Sequence, residues 1–138
     1  MDFERSYIAQ ATHGAGKGHL HFITADATAI PIVIPFDVAI CLTNTWGTMS
    51  DKTGVLRELR RLAPHPQTRL ISVYSERSIP ARREWYQRMG HAVVEETDTY
   101  LATDGGFRSE HFSDARLRAL VGDCSIQPIA GIAHAVTF

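Results

Sequence analysis

Apolar residues recur along this chain with two periods, one typical of helices and one typical of strands. Within residues 51–62 the apolar positions lie three or four apart, which predicts an amphipathic helix with its charged residues facing water. The predicted buried stripe is Val55, Leu56, Leu59 and Leu62, and the predicted water-facing residues are Arg57, Glu58, Arg60 and Arg61. Apolar spacing and helix-end residues together predict four helices, over residues 3–12, 51–62, 80–89 and 113–121.

Strands are predicted where apolar residues alternate or form short runs rich in β-branched residues. The run at residues 36–43 (FDVAICLT) is mostly apolar and contains β-branched residues, which suits a strand covered on both faces, as in a parallel sheet. The predicted strands are residues 19–25, 36–43, 69–75, 91–96, 99–103, 124–129 and 132–138. Strands and helices alternate first and an antiparallel hairpin follows, which predicts an α/β fold with a mostly parallel sheet and a C-terminal antiparallel hairpin.

Composition narrows the possible functions. The 138 residues correspond to about one domain and carry a net charge of −1. A nearly neutral chain is not typical of proteins that bind nucleic acid or acidic lipid, so neither partner is expected. The longest apolar run, residues 29–34, is too short to cross a bilayer. Cys41 and Cys124 lie far apart in apolar stretches, which indicates buried free thiols and a cytoplasmic location.

Three short motifs follow one another in the first half of the chain, and their order is more informative than any one of them alone. They are Asp26-Ala27 after a predicted strand, Phe36-Asp37 opening the next, and the segment 56–64 (LRELRRLAP) ending a helix. This series resembles the middle of a class I S-adenosylmethionine-dependent methyltransferase. The resemblance implies a Rossmann-like methyltransferase sheet, S-adenosylmethionine as cofactor and a small-molecule methyl acceptor.

The same resemblance assigns four cofactor-binding residues. Asp26 would accept a hydrogen bond from the adenine amino group, with the backbone of Ala27 beside it. Asp2 would accept hydrogen bonds from the ribose hydroxyls, and Thr43 would lie beside the cofactor at the end of a strand. The physical logic is that a carboxylate can accept two hydrogen bonds from a vicinal diol. Taken without the resemblance, Asp26 is also what a capped turn at a strand end requires.

Glycines at residues 14–18 (GAGKG) do not have the context of a cofactor loop. The family's loop runs from a strand into a helix, whereas this stretch runs from a predicted helix into a predicted strand. Carbonyl groups with partial negative charge are exposed at a helix C-terminus and repel an anion. A turn is therefore the better interpretation. The resemblance then covers the last two thirds of the family fold, without its first strand and glycine-rich loop, and we expect an incomplete sheet on that side.

Polar and aromatic residues follow the ends of two predicted parallel strands, where ligands bind in open α/β sheets. After the first strand, Asn44 could orient the methyl acceptor as a catalytic residue, and Trp46 could line its pocket. After the second strand, Tyr74 could contact the substrate. A turn with a partly buried tryptophan is an equally good interpretation of the first group.

The segment 105–112 (GGFRSEHF) is polar and lacks a regular pattern, which is common in loops that carry function. Arg108 could bind a carboxylate of the acceptor, and His111 could accept a proton as a catalytic residue. An ordinary surface loop is the simpler alternative. No metal site is expected, because His19 and His21 lack a carboxylate or cysteine at ligand spacing.

Two functions remain open from the sequence. The first is a methyltransferase, or a fragment of one, that uses S-adenosylmethionine. The second is a non-catalytic remnant or partner subunit that cannot bind the cofactor alone. In either case the incomplete sheet would expose strand edges, so a homo-oligomer formed through those edges is possible.

Overall fold

The computed structural model describes residues 21–138. Three sequence predictions lie outside the described residues: the helix at 3–12, the glycine turn at 14–18 and the cofactor contact of Asp2. The described strands are β1 (Ala39–Cys41), β2 (Arg69–Tyr74), β3 (Val93–Glu96), β4 (Tyr100–Thr103), β5 (Arg108–Glu110), β6 (Ser125–Ile129) and β7 (Ala133–Thr137). The described α-helices are α1 (Thr45–Thr48), α2 (Lys52–Leu62), α3 (Ile79–Arg88) and α4 (Asp114–Val121).

A four-stranded sheet has the order β1-β2-β7-β6. Strands β1 and β2 are parallel, with Ile40 beside Leu70, and the pairs β2–β7 and β6–β7 are antiparallel. The α/β fold class and the closing antiparallel hairpin are therefore confirmed. The sequence predicted a mostly parallel sheet. Among residues 21–138, β1 and β2 form the one parallel strand pair, and the other strand pairs are antiparallel.

Strands β3, β4 and β5 form a second, antiparallel sheet. The hairpin of β3 and β4 was predicted, but β5 was not, since residues 105–112 were interpreted as a polar loop. Ser109 and Glu110 lie within β5 and are both buried. Polar side chains on a buried strand give no apolar periodicity, which explains why the pattern did not reveal it.

The ends of the predicted helices agree closely with the structure. The side chain of Asp51 accepts a hydrogen bond from Gly54 N at 2.8 Å at the start of α2. Ser113 accepts from Arg116 N at the start of α4, as its N-cap position predicted. Gly90 follows α3 with φ 82°, a left-handed conformation that glycine adopts without strain.

One face of the four-stranded sheet packs against α2 and α4. The core joins apolar side chains of these two helices to Ile71, Val73 and Val136 of the sheet, with Trp46 and Phe112 stacked at a centroid distance of 5.1 Å. This packing holds β1 and β2 in place, and their carboxyl ends lead directly into the polar residues discussed below.

Two predictions about the first part of the chain need correction. Residues 21–25 are not a strand, and residues 26 and 29 form an isolated bridge around a turn instead. The strand predicted at 36–43 is only Ala39–Cys41. Pro31 and Pro35 lie in the stretch between, and proline cannot donate to a strand ladder, which favours an irregular path there.

Among the described helices, none is both long enough and apolar enough to cross a membrane.

Candidate functional site

An open groove of about 730 Å³ lies between the turn at Asp26, the start of α2 and strand β5. We call it the Asp26 groove. Its wall consists of Asp26, Thr28, Thr48, Met49, Ser50, Asp51, Val55, Gly106, Phe107 and Arg108. Volumes of about 300–1,000 Å³ are typical of small-molecule sites. The groove brings together two residues predicted from separate parts of the sequence, Asp26 and Arg108.

Asp26 is held by a turn made with Thr28. Its Oδ1 atom accepts hydrogen bonds from the backbone N–H and the hydroxyl of Thr28, both at 2.8 Å. The backbone hydrogen bond, and then the hydroxyl, lower the pKa of Asp26. The side chain is therefore a carboxylate at neutral pH, and its Oδ2 atom makes no hydrogen bond within residues 21–138. An exposed carboxylate oxygen at this position can accept a hydrogen bond from an amino group.

Helix α2 fixes the segment that follows Asp26. Glu58 Oε2 accepts from Ile30 N at 3.0 Å, and Arg61 donates to the carbonyl groups of Ile30 and Ile32. Arg57 donates to the carbonyl of Thr28 at 3.3 Å. The prediction that these charged residues face water is therefore wrong for Glu58, which is buried, whereas Arg57 and Arg61 are exposed as predicted and also hold this segment. Their alternation along the helix looked like a solvated face, but they supply hydrogen bonds that an irregular segment cannot make with itself.

Hydrogen bonding from Arg61 lowers the pKa of Glu58, although burial opposes it. Ala27, the residue after Asp26, is half-buried and packs against the core. The turn is thus attached to α2 on one side and to the core on the other. This attachment holds the Asp26 carboxylate in one place at the groove.

Arg108 is the first residue of strand β5 and also lines the groove. Its guanidinium lies 3.7 Å from the centroid of the Tyr100 ring, a close cation–π contact. The Arg108 side chain is 57% exposed, and its Nη2 lies 3.9 Å from Glu110 Oε1. The Tyr100 ring holds the guanidinium in place while much of the side chain stays exposed to solvent. Arg108 can therefore bind a carboxylate or another anionic group.

Thr43 and Asn44 form a strained turn at the carboxyl end of β1. Both have φ 58°, which is unusual for any residue except glycine and especially for a β-branched one. The turn is held by Ser72 of β2, whose hydroxyl accepts from Thr43 N at 2.8 Å and whose carbonyl accepts from Asn44 N at 3.0 Å. Strain of this kind concentrates at functional sites. A cofactor contact of Thr43 stays a prediction.

The side chain of Asn44 is buried and makes three internal hydrogen bonds. Its Nδ2 donates to Ser109 Oγ at 2.9 Å and to the Glu110 carbonyl at 3.1 Å. Its Oδ1 accepts from Tyr74 N at 3.0 Å. Both amide hydrogens have partners in the fold, so the geometry gives Asn44 a positioning role between β2 and β5. A direct catalytic role for Asn44 stays a prediction.

Trp46, predicted to line the substrate pocket, is 0% exposed and packs in the core. Its indole donates from Nε1 to the Lys52 carbonyl at 3.2 Å, so its polar atom is satisfied internally. Met49 and Ser50, which follow Trp46 in the chain, do line the Asp26 groove. The sequence analysis did not identify either of them as a site residue. The position of Trp46 just past a strand end is compatible with both a pocket wall and a core residue, and the sequence could not separate them.

Tyr74 and His111 meet at a buried arginine. The guanidinium of Arg82 lies 4.6 Å from the centroid of the Tyr74 ring, and its Nη1 lies 3.4 Å from His111 Nδ1. Arg82 also donates to the Ser109 carbonyl at 2.7 Å. Burial, and then the positive charge of Arg82, lowers the pKa of His111. His111 is 1% exposed and does not line the Asp26 groove, so its predicted role as a proton acceptor is untested.

Glu110 is the acidic centre of this region. Lys52 Nζ donates to its Oε1 at 2.8 Å, and Arg116 donates to its Oε2. Burial alone would raise the pKa of Glu110, but the hydrogen bonds from Lys52 and Arg116 outweigh it and lower the pKa. These bonds connect α2, β5 and the start of α4. The sequence analysis missed Glu110, although its place between Arg108 and His111 marked it as part of a polar segment.

Comparison with known protein families gives no match. Comparison with curated proteins gives no match either. Solved structures do match. The crystal structure of PH0226 protein from Pyrococcus horikoshii OT3 aligns with a TM-score of 0.68 at 12% identity, over 97% of this chain and 67% of that chain.

A second match is the crystal structure of a S-adenosylmethionine-dependent methyltransferase from Clostridium acetobutylicum ATCC 824. It aligns with a TM-score of 0.55 at 11% identity, over 99% of this chain and 72% of that chain. At these identities the likeness shows the fold. The chain therefore has a Rossmann-like, methyltransferase-like fold, as the ordered motifs predicted.

Proposed function

We propose that this protein is an S-adenosylmethionine-dependent methyltransferase, or part of one, that acts on a small-molecule acceptor. The observation that carries the proposal is the Asp26 groove, where Asp26 and Arg108 both line a cavity of small-molecule size in a methyltransferase-like fold. The cofactor, when bound, supplies an electrophilic methyl group on a sulfonium.

The described residues fit the adenine part of the cofactor. Asp26 offers a carboxylate oxygen for the adenine amino group, and Met49 and Val55 provide apolar surface for the ring. Arg108 would hold a carboxylate or similar group of the acceptor, with Phe107 against its apolar part. Methyl transfer from a sulfonium requires mainly that donor and acceptor are held in line, so a groove that binds both can act without a strong base.

The site would be supported by residues at the carboxyl ends of β1 and β2, namely Thr43, Asn44 and Tyr74. The Asn44 amide holds β5, and hence Arg108, against the carboxyl ends of β1 and β2. We propose for Asn44 a positioning role in place of direct contact with the acceptor, because its amide hydrogens already have partners. The free thiols Cys41 and Cys124 support a cytoplasmic location, since disulfides are rare there.

Calorimetric titration of the full chain with S-adenosylmethionine tests the proposal. The informative variant is Asp26→Asn, since asparagine can still accept from Thr28 N and keep the turn but presents an amide instead of a carboxylate to the ligand. We expect about tenfold weaker binding. Asp37→Asn, an exposed carboxylate outside the groove, is the matched control and should bind as the original chain does.

Absence of saturable binding by the unaltered chain would contradict the proposal. It would favour a non-catalytic remnant or partner subunit with this fold. That alternative has one observation in its favour, since the polar atoms of Asn44 and the ring of His111 are directed into the protein interior. Equal binding by Asp26→Asn and the unaltered chain would instead remove Asp26 from the site.

A further inference from the structure

We propose that the pair Asp104-Gly105 is a site of covalent modification, at which the aspartate converts to isoaspartate through a succinimide ring formed with its own backbone. The pair lies in the turn between β4 and β5. Asp104 is the one aspartate in the sequence that a glycine follows. The reacting groups belong to adjacent residues and the only co-reactant is water, so the modification needs no enzyme.

The residue after the aspartate decides whether the ring can close. Ring closure requires the backbone nitrogen of that residue to reach the carboxyl carbon of the aspartate, and a side chain on that residue crowds the nitrogen. Glycine has no Cβ and leaves the nitrogen open. Gly105 and Gly106 are both exposed, and Gly106 has φ 77°. The turn therefore places little steric hindrance around the reacting nitrogen.

The two reacting groups are already in contact in the structure. Gly105 N donates a hydrogen bond to Asp104 Oδ1 at 3.0 Å, which brings the nitrogen against the carboxyl group that it attacks. Reacting groups held about 3–3.5 Å apart are close to the geometry of reaction. The Asp104 side chain is 50% exposed, so water can leave and enter.

The two oxygens of the Asp104 carboxyl group have different surroundings. Oδ1 accepts from Gly105 N and also from Ala92 N, at 3.3 Å. Oδ2 makes no hydrogen bond within residues 21–138. Oδ2 is therefore the oxygen that can take up a proton and leave, while the amide groups hold Oδ1 in place.

The reaction consists of a ring closure and a hydrolysis. In the first step Gly105 N forms a bond to Asp104 Cγ, and the bond between Cγ and Oδ2 breaks. Oδ2 leaves as water, with the proton of the carboxyl group and the proton of the amide. In the second step one water molecule opens the ring. Addition at Cγ restores aspartate, whereas addition at the main-chain carbonyl carbon gives isoaspartate, whose backbone runs through Cβ and Cγ. Nothing is oxidised or reduced, and the mass of the chain is unchanged.

The simpler interpretation is that aspartate and glycine are present because turns favour them. It accounts for Gly106, whose left-handed backbone suits glycine. It does not account for Gly105, whose φ is not in the left-handed region. A Cβ added at Gly105 would meet its nearest neighbours, in His91 and Thr103, only at 3.9 Å. The fold therefore does not require glycine at position 105.

The modified turn leads directly into the wall of the Asp26 groove. Thr103 N donates to the Phe107 carbonyl, and Asp104 N donates to the Ala92 carbonyl, both at 2.9 Å. Isoaspartate adds one carbon to the backbone of this closed turn and removes the side-chain carboxylate that holds Ala92 N. Phe107 and Arg108 line the groove just after the turn. Conversion therefore displaces this part of the wall.

The test is peptide mapping of the full chain after storage for weeks in mildly acidic buffer near body temperature. An isoaspartyl peptide has the mass of the original peptide, elutes separately and resists endoproteinase Asp-N at residue 104. We expect this product to accumulate at Asp104 and not at Asp37, an exposed aspartate that valine follows. Gly105→Ala should slow its formation by about tenfold. Asp104→Glu keeps the carboxylate but would need a six-membered ring, so it should give no product.

Four outcomes would overturn the inference: no isoaspartate at residue 104, equal accumulation at Asp37, equal rates in Gly105→Ala and the unaltered chain, or conversion only after unfolding in guanidinium chloride. Amide spectra of the fresh variants show that they are folded. In the converted chain the amide resonances of Ala92 and Phe107 should shift, and unchanged resonances would remove the effect on the groove. The result is independent of the proposed methyltransferase function, because no S-adenosylmethionine is added.

Discussion

Asn44 Nδ2 donates to Ser109 Oγ at 2.9 Å, which joins the turn after β1 to strand β5 across 65 positions of sequence. Asn44 also accepts from Tyr74 N and adopts φ 58°, so one residue fixes a strained turn and two strands. This position requires both the amide and a tolerance for left-handed backbone, and asparagine provides the two together.

We therefore expect Asn44→Ala to reduce the free energy of unfolding by about 2–4 kcal/mol, from lost buried hydrogen bonds and backbone strain. Asn44→Gly loses the same bonds but accepts the backbone conformation, so it should be the less destabilised of the two. Urea unfolding of both variants measures the difference. Equal stability of the two variants would show that the backbone conformation contributes nothing.

Trp46 offers a second test, because it was predicted to line a pocket and lies in the core instead. Trp46→Ala should cost about 3–5 kcal/mol of stability, as expected for removal of a buried aromatic side chain that stacks on Phe112. Trp85→Ala is the control, since Trp85 is 53% exposed on α3 and should cost less than about 1 kcal/mol. Circular dichroism during urea unfolding measures both. A small effect at Trp46 would mean that the side chain is not part of the core.

Local signals in the sequence predicted the regular elements well. Ser113 was recognised as an N-cap, and the helix that begins at Asp51 was predicted from its apolar spacing. In the structure both side chains cap a free N–H group within one turn. The β6–β7 hairpin followed from apolar alternation on both sides of Ala130-Gly131, which both have positive φ. Information of this kind lies within a few residues of the element that it specifies.

The site depended on contacts between distant residues, and these were harder to predict. Glu58 looked like a solvated charge but binds Ile30 N, 28 positions away. Glu110 looked like part of a loop but is held by Lys52, 58 positions away. Neither partner can be identified from periodicity. Asp26 and Arg108 were each proposed for chemical reasons, and only the fold shows that they share one groove.

The stability of the fold should fall in two steps as the solution is acidified. Burial lowers the pKa of His111 below its usual 6.5, so the unfolded chain binds that proton first, and stability is lost as the pH falls below 6.5. The pKa of Glu110 is lowered from 4.5 despite its burial, so its contribution is present above pH 4.5 and is lost below it. Each step can reach about 1.4 kcal/mol per pH unit.

Urea unfolding between pH 7 and pH 3 measures these steps. Glu110→Gln should remove the lower step and leave the upper one, whereas Glu84→Gln, an exposed member of an ion pair on α3, should leave both unchanged. A lower step that persists in Glu110→Gln would assign it to other carboxylates, with Glu58 the next to examine because its pKa is also lowered.

The edge of β1 leads to a prediction about assembly. Val38, Ile40 and Leu42 lie at alternate positions within and beside β1 and are 59%, 58% and 44% exposed, and β1 is the edge strand of its sheet among the described strands. Antiparallel pairing of two copies centred on Ile40 would place Val38 of one copy opposite Leu42 of the other and Ile40 opposite itself. The contact is then self-complementary and apolar, as a two-fold interface requires.

We expect a dimer that forms with increasing concentration in sedimentation velocity. Ile40→Lys should keep the protein monomeric, because edge lysines block strand pairing. Val94→Lys places the same charge on the exposed edge strand β3 and should leave the dimer intact. If Val94→Lys rather than Ile40→Lys abolishes association, the interface lies on the second sheet.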